Sequence, residues 1–397
     1  MADIRRICMG DLCAVVTDGT HDSPKLQKHG IPFIKGKHIS GGFVDFSNCD
    51  YITPEDHAEA CRRVRPQHGD ILFSNIGSVG DTALVRSDCE FSIKNVALLR
   101  AAPGKVDSQY LYYLVLSPEF RANVLNVRSG SAQPFISLAS LRSFEVSYQP
   151  DIARQRRIAA ILSAYDDLIE NNLRRIKILE EMARALYREW FVEFRFPGHM
   201  NVPHVESSFG SIPKGWTVTA VMNVLARHPA GKVYREIDVV SEGLVPVVDQ
   251  SSSEVLGFHN DRAGHSATPQ SPLAIFGDHT CKMQLLIEPF SVGPNVVVFG
   301  AKDNRPISYL FHVVRSLVKT QEYKRHWTSL VAKKIVLADQ ATANGFSASI
   351  QPWIQLTETL RRENRLLRRT RDLLVPRLLS GQLNAHEEAV CVSFYRK

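Results

Sequence analysis

FSIKNVALLRAAPGKVDSQYLYYLVLS, residues 91–117, returns as FSVGPNVVVFGAKDNRPISYLFHVVRS, residues 290–316. The two align without a gap, with Phe, Ser, Ala, Tyr, Leu and Ser kept at matching places. A long charged stretch follows each copy at nearly the same offset, from about Ile152 and from about Ile354. A repeat of this length is a duplicated domain, not a solenoid period of about 20–50 residues. Two similar modules and two stiff helices read as one chain that meets something at two places.

Short apolar runs bounded by Gly, Pro, Asn and Asp predict strands in both modules. The first module has IPFI (31–34), DILF (70–73), TALV (82–85) and VALLR (96–100); the second has VPVV (245–248), LAIF (273–276), QLLI (284–287) and VVVF (296–299). A helix is expected over Ser108–Leu116, with Asp107 as its cap and Pro118 near its stop.

From Ile152 to about Phe191 there is no Gly or Pro. Ile158, Ile161, Leu162, Tyr165, Leu168, Ile169, Ile176, Leu179, Met182, Ala183, Leu186 and Trp190 recur at three- and four-residue spacing, close to a heptad. Such a helix is on the order of 55–60 Å long, too long for one small domain. Asn172 falls on its seam, where a buried polar residue fixes register. The second stretch carries Trp353, Leu356, Leu360, Leu367, Leu374 and Leu378, with Asn364 near the seam. Its other face is basic: Arg361, Arg362, Arg365, Arg368, Arg369, Arg371 and Arg377. Pro376 marks a kink or the approaching end, and Gly381 a stop. Two such helices flanking a globular module would bury their stripes as an antiparallel coiled coil. The expected fold is therefore mixed α/β, with two globular strand-rich domains joined by that helix pair.

Composition sets the class. The chain has 397 residues, 44% apolar and 22% charged, with a formal charge of +7, enough for two or three soluble domains. The mild basic excess is compatible with a polyanionic partner. Seven scattered cysteines without a Cys-x-x-Cys pair fit reduced thiols better than a disulfide frame or zinc site. The N-terminal MADIRRICMG lacks an apolar signal core, and no apolar run reaches about 18 residues; a cytoplasmic protein without a membrane span is expected.

Catalytic signatures are missing. There is no phosphate-binding Gly-x-x-x-x-Gly-Lys-Ser/Thr loop, no Gly-x-Gly-x-x-Gly after a strand and no Gly-x-Ser-x-Gly elbow. The chain has no Asn-Pro dipeptide, and hence no adenine-methyltransferase tetrad. Glu322-Tyr323-Lys324 has its only Pro-Asp companion, Pro150-Asp151, in the other half, so a nuclease motif is a coincidence. Asp278-His279 and His21-Asp22 are adjacent pairs that point apart, and no His-x₃-His exists. No catalytic residue, metal site or cofactor is expected in this chain.

With these residues in view, nearly the whole chain resembles the specificity subunits of type I restriction–modification systems. The strongest match is IARQRRIAAILSAYDDLIENNLRRIKILEEMARALYREWFVEF (152–194). There Gln155, Ile158 and Leu162 match the family's opening pattern, Leu168, Ile169, Glu170 and Asn172 its centre, and Leu186, Tyr187, Trp190 and Phe191 its close. RDLLVPRLLSGQL (371–383) is similar to the distal conserved region, and GSIPKGW (210–216) to the start of a second recognition domain. DGTHDSP (18–24), IPFIKGKHIS (31–40), GDILFSNIGSVGDTALV (69–85), PVVDQS (246–251) and FGDHT (276–280) look like target-recognition text. Two departures stand out. The first helix begins Pro150-Asp151-Ile152-Ala153-Arg154-Gln155 where the family has Pro-x-x-Glu-Gln. ATANGFSASIQPWI (341–354) lacks the Gln altogether and reads as a loose Gly/Ser stretch.

The resemblance implies recognition domains over residues 1–150 and 216–350, a central helix over 151–196, a linker over 197–215, a distal helix over 351–385 and a tail over 386–397. It implies double-stranded DNA as ligand, each domain reading one half of a bipartite site. It further implies two methyltransferase subunits as partners, with restriction subunits in the full assembly, and S-adenosylmethionine, ATP and Mg on those partners. Base reading needs donors and acceptors at loop tips. Candidates in the first module are Lys35, Lys37, His38, Ser74, Asn75, Ser78, Lys94, Asn95, Arg128 and Gln133. In the second they are Asp249, Gln250, Asp278, His279, Lys282, Lys302, Lys324 and Arg325. Ile158, Ile161, Leu162, Tyr165, Leu168, Ile169, Asn172, Ile176, Leu179, Leu186, Trp190, Leu356, Leu360, Asn364, Leu367, Leu374 and Leu378 are expected in helix pairing and subunit docking. A modification-only system and a non-DNA two-headed adaptor on a coiled coil are the competing readings.

Overall fold

The computed structural model describes residues 3–77, 79–128, 135–251, 253–315, 317–318 and 325–383. The chain forms two compact units, Met1–Asn171 with Glu363–Lys397, and Asn172–Arg362.

The first unit is built on β1 (Arg5–Cys8), β2 (Cys13–Asp18), β3 (Ile31–Lys35), β4 (Asp50–Ile52), β5 (Ile71–Phe73), β6 (Thr82–Leu84), β7 (Ser92–Lys94), β8 (Ala97–Ala101) and β9 (Glu145–Tyr148). One sheet has the antiparallel order β2-β8-β5-β6; a second is β4-β3-β7, with β3 and β7 parallel; β1 pairs with β9. The helix Ser108–Leu116 follows β8, and Asp107 accepts the Gln109 and Tyr110 N–H groups as its cap. Tyr110, Leu111 and Leu114 on this helix join Leu99 of β8 in the core.

The second unit repeats this strand for strand. Its elements are β10 (Thr217–Ala220), β11 (Leu225–His228), β12 (Val245–Val248), β13 (Gly257–His259), β14 (Leu273–Gly277), β15 (Met283–Leu286), β16 (Ser291–Val292), β17 (Val296–Ala301) and β18 (Lys334–Leu337). The orders are β11-β17-β14-β15, then β13-β12-β16 with β12 and β16 parallel, and β10 with β18. Each of β10–β18 thus has the pairing of the strand nine labels earlier.

Side chains repeat as well. Tyr110 Oη accepts the Gln149 N–H at 2.9 Å, and Tyr309 Oη accepts the Ala338 N–H at 2.9 Å. Buried His57 meets Ser92 Oγ at 2.8 Å, and buried His259 meets Ser291 Oγ at 2.9 Å. These serines are the second residues of the two copies quoted above, so the sequence repeat marks a shared hydrogen-bonding frame.

The proximal helix spans Ile152–Tyr187, and the distal helix Gln340–Leu379. Within the first unit, Ile158, Ile161 and Leu162 share a core with Val375, Leu378 and Leu379. Asp166 pairs with Arg371, and Asn364 Nδ2 donates to the Ile169 carbonyl at 3.5 Å, so the two segments run antiparallel. Within the second unit, Ala183 shares a core with Phe346 and Ile350, while Glu180 pairs with Arg361 at 3.0 Å, again antiparallel. Phe191 lies 5.7 Å from Trp216 and 5.1 Å from Phe346, at the centre of an aromatic cluster that also takes in Trp190.

Several expectations change. The distal helix starts at Gln340, ahead of both 351 and 354. Asp339 is the reason: its Oδ1 accepts the Thr342 N–H at 2.9 Å, and the Trp216 indole donates to its Oδ2 at 3.0 Å. The stretch read as loose is helical. The other end is as expected: the helix stops at Leu379, shortly after Pro376, and Gly381 follows at φ +72°. Leu168 and Leu356 are exposed rather than on a seam, because the buried row runs through Leu162, Asp166, Ile169, Asn172 and Ile176, one residue (about 100°) away from Leu168. Arg361 and Arg371 are drawn inward by Glu180 and Asp166 instead of joining an exposed basic face. The Pro/Gly-rich 197–215 stretch carries a hairpin, His204–Ser207 against Gly210–Pro213. The tail over 386–397 lies outside the described residues.

Candidate nucleic-acid interface

In each unit three pieces of chain meet at one end of the three-stranded sheet: the residues after β3 or β12, the turn of the neighbouring hairpin, and the residues after β7 or β16. In the first unit, Lys35 and Lys94 are register partners at the ends of the parallel strands. Lys35 Nζ lies 2.7 Å and Lys37 Nζ 3.6 Å from the same Asp50 oxygen. The Lys35 hydrogen bond, reinforced by the two ammonium charges and opposed by burial, holds the Asp50 carboxyl below the usual carboxylate range. Lys94 Nζ donates to Ser23 Oγ, and Asn95, in the left-handed region at φ +52°, meets His21 Nδ1 at 2.8 Å. His21 Nε2 is in turn 3.2 Å from Asp18, which Arg63 also reaches. Lys35 and Lys37 are thus gathered on one carboxylate, each with part of its side chain exposed.

Three first-module candidates are placed otherwise. His38 is 3% exposed, and its Nδ1 accepts the Lys35 N–H at 3.0 Å. Burial first, then Lys37, pushes its pKa down; it is a neutral brace for the turn that carries Lys35 and Lys37. Ser74 and Asn75 are fully buried, and Asn75 Nδ2 donates to the Ile136 carbonyl at 3.2 Å. Ser74 Oγ donates to the Ile76 carbonyl at 3.4 Å, so each of the three is buried with a side-chain atom bonded to backbone. Ser78, Gln133 and Lys324 lie outside the described residues, as does the side chain of Arg128.

In the second unit, Asp249, Gln250, His279 and Lys282 come together. Gln250 Oε1 accepts the His279 N–H at 3.1 Å, and the Gln250 carbonyl accepts the Thr280 hydroxyl at 2.8 Å. Lys282 Nζ donates to the Ser253 carbonyl at 2.6 Å; burial lowers its pKa against the opposing pull of Asp249 and Glu254. Asp278 is a cap: its Oδ1 accepts the His326 and Trp327 N–H groups at 3.0 and 2.9 Å. Exposed Arg325 lies 3.9 Å from the same carboxylate. Lys302 stands at the far end of β17, bound to the Met222 carbonyl at 2.6 Å, and is not part of the cluster.

His21, Asp50 and Arg63 are additions to the candidate set. The DGTHDSP loop pointed toward His21, but nothing local marks Asp50, which reaches Lys35 from fifteen residues along the chain. Among the described residues no group of His, Cys, Asp and Glu is placed to hold a metal, and no helix is long and apolar enough to cross a membrane.

Residues 1–181 match the family described as type I restriction modification DNA specificity domain. The MjaIX type I restriction enzyme specificity subunit of Methanocaldococcus jannaschii is 25% identical over 401 residues, 94% of this chain and 92% of that one. The HindI specificity subunit of Haemophilus influenzae is 31% identical over 155 residues, 38% of this chain and 33% of that one. The crystal structure of a type I restriction–modification S subunit from M. genitalium superposes with a TM-score of 0.52 at 13% identity, covering 95% of this chain and 96% of that one. At that identity the likeness speaks for the fold alone: mixed α/β, two strand-rich domains joined by long helices. Residues 1–181, a little under half of the chain, thus match a specificity-domain family, and along most of its length the chain is similar to type I restriction–modification specificity subunits.

Proposed function

We propose that this chain is the DNA-reading subunit of a type I methyltransferase complex, each module taking one half of a bipartite DNA site. In this reading the helices set the gap and dock two methyltransferase subunits. S-adenosylmethionine, ATP and Mg would be carried by partners, restriction subunits included, and this chain would contribute recognition without catalysis. The carrying observation is one frame with two surfaces. Matching Ser92 with Ser291 through the parallel pairings aligns Lys35 with Asp249, Gly36 with Gln250 and Lys94 with Gly293. Identical scaffolds that differ in donors and acceptors at equivalent tips suit the reading of two different half-sites. The test is adenine-methylation sequencing of cells expressing the methyltransferase subunits with and without this chain. A split, non-palindromic motif methylated only when the chain is present is expected. No chain-dependent motif, with the complex intact, would refute the proposal and favour an adaptor.

A further inference from the structure

A cavity of about 80 Å³ lies inside the second unit, between the proximal helix, β15, the helix Ile307–Val314 and the distal helix. That is several times the room one water needs. Leu179, Leu285, Phe311 and Trp353 supply apolar walls. Two polar side chains on the lining, His312 and Thr357, are each only 7% exposed. Among the described residues, neither the His312 ring nor the Thr357 hydroxyl has a hydrogen-bond partner. Buried polar groups are rarely left so, because each unmade bond costs free energy.

The repeat sets these residues apart. Its gapless alignment puts His312 where the first unit has Tyr113, and Arg315 where it has Leu116. The Tyr113 hydroxyl reaches Asp166 at 2.6 Å, and Leu116 packs against its unit's core. In the second unit the shorter imidazole is held by Tyr187 and Phe346, and a guanidinium stands where the first unit is apolar. Glu180 lies 3.0 Å from Arg361, 3.1 Å from Arg184 and 3.6 Å from Arg315, and Glu358 lies 3.7 Å from Arg361. Three guanidiniums thus share two carboxylates, leaving one positive charge in surplus. Burial, then Arg315 and Arg184, keeps His312 neutral, so the field at its ring is positive. Burial and then Arg184 also disfavour the Arg315 charge, a cost that an anion beside it would relieve.

We propose that this cavity binds a small organic carboxylate, its anionic end held by Arg315, His312 and Thr357 and its short hydrocarbon part by the wall that carries Trp353. Guanidinium donors match a carboxylate in shape and charge. Apolar walls favour an anion that carries hydrocarbon over a bare, multiply charged one, which is better solvated by water. The site does not draw on the DNA reading, and belongs to the second unit alone.

Titration of butyrate into the full chain, followed by calorimetry and by indole emission, tests it. A saturable heat with a matching change in emission is expected, and Trp353→Phe should remove most of the spectral change while the heat remains. Arg315→Leu, which installs the first unit's residue, is expected to weaken binding about tenfold or more, and Thr357→Val about threefold or more. Unchanged hydrogen exchange in β14 and β17 would verify that both variants keep the fold. Thr357→Val preserves the branched shape of the side chain, so it decides alone should Arg315→Leu not fold. Absence of saturable heat with butyrate and with benzoate overturns the proposal. Inorganic phosphate or butylammonium binding as tightly as butyrate overturns it too, as does wild-type affinity in the folded variants. A spectral change that survives Trp353→Phe places the ligand elsewhere and has the same consequence.

Discussion

Replacing Asp166 by Ala tests whether a buried charge organises the first unit. Asp166 is 3% exposed; Oδ2 accepts the Tyr113 hydroxyl at 2.6 Å, and Oδ1 pairs with Arg371, whose side chain is 11% exposed. Burial disfavours the Arg371 charge, but Asp166 and then Asp372 outweigh it, so the guanidinium pKa stands above its ordinary value. Removing one member of a buried pair costs about 3–5 kcal/mol, because the other charge stays desolvated. Losing the Tyr113 acceptor alone would cost about 1–3 kcal/mol. The two losses share one carboxylate and do not add, and exposed Asp372, 2.9 Å from Arg371, recovers part. The expected net is about 3–4 kcal/mol, at about 1.4 kcal/mol per factor of ten a hundredfold or greater rise in exchange. Native-state hydrogen exchange of Ser108–Leu116 in the intact chain reads it, with amides of the aromatic cluster as an internal reference. The double variant Asp166→Leu, Arg371→Met removes both charges and is expected to regain most of the loss. Exchange in Asp166→Ala within about threefold of wild type, or a double variant as damaged as the single, would refute the argument.

Other substitutions address other parts of the chain. Gln155 is fully buried, its Oε1 accepting the Asp107 N–H and its Nε2 donating to the Gln149 and Lys105 carbonyls; Gln155→Ala should lower the first unit's stability by about 1–3 kcal/mol in denaturant titration. His312, buried between Tyr187 and Phe346, has its pKa pushed down to about 3 by burial and then by Arg315 and Arg184. Below about pH 6.5 the unfolded chain takes up a proton that the folded chain refuses, so stability falls on acidification to about 3, by up to about 1.4 kcal/mol per pH unit. His312→Phe should flatten that slope in a calorimetric pH series. Lys35→Ala with Lys37→Ala should change one half of the methylated motif only, as sequencing of methylated sites would show; equal loss in both halves would contradict the assignment. One added turn in each long helix, about 5.4 Å, should widen the gap by one or two base pairs.

What the sequence shows of the fold is its local and periodic part. All eight apolar runs lie largely within strands, because short β-branched segments between turn residues have few alternatives. The Asp107 cap was equally local. The helix seam needed its phase as well as its period: Leu168 and Ile169 are adjacent, and only packing decides which turns inward. The row of arginines looked like one solvated face because their carboxylate partners, Asp166 and Glu180, lie on another helix. The candidate interface divides the same way. The loops were visible as Gly-rich polar text, but which side chains face outward depends on backbone groups that Ser74, Asn75 and Asp278 satisfy. Asp50, which fixes the two lysines, carries no mark of its role in its own neighbourhood.

The aromatic cluster around Phe191 has a practical corollary. All four tryptophans, Trp190, Trp216, Trp327 and Trp353, belong to the second unit, and the first contains none. Indole emission from the unmodified chain is therefore a native optical label for one half of a duplicated molecule. A spectral change on adding a ligand reports on that half, and a ligand seated on the other can bind in silence.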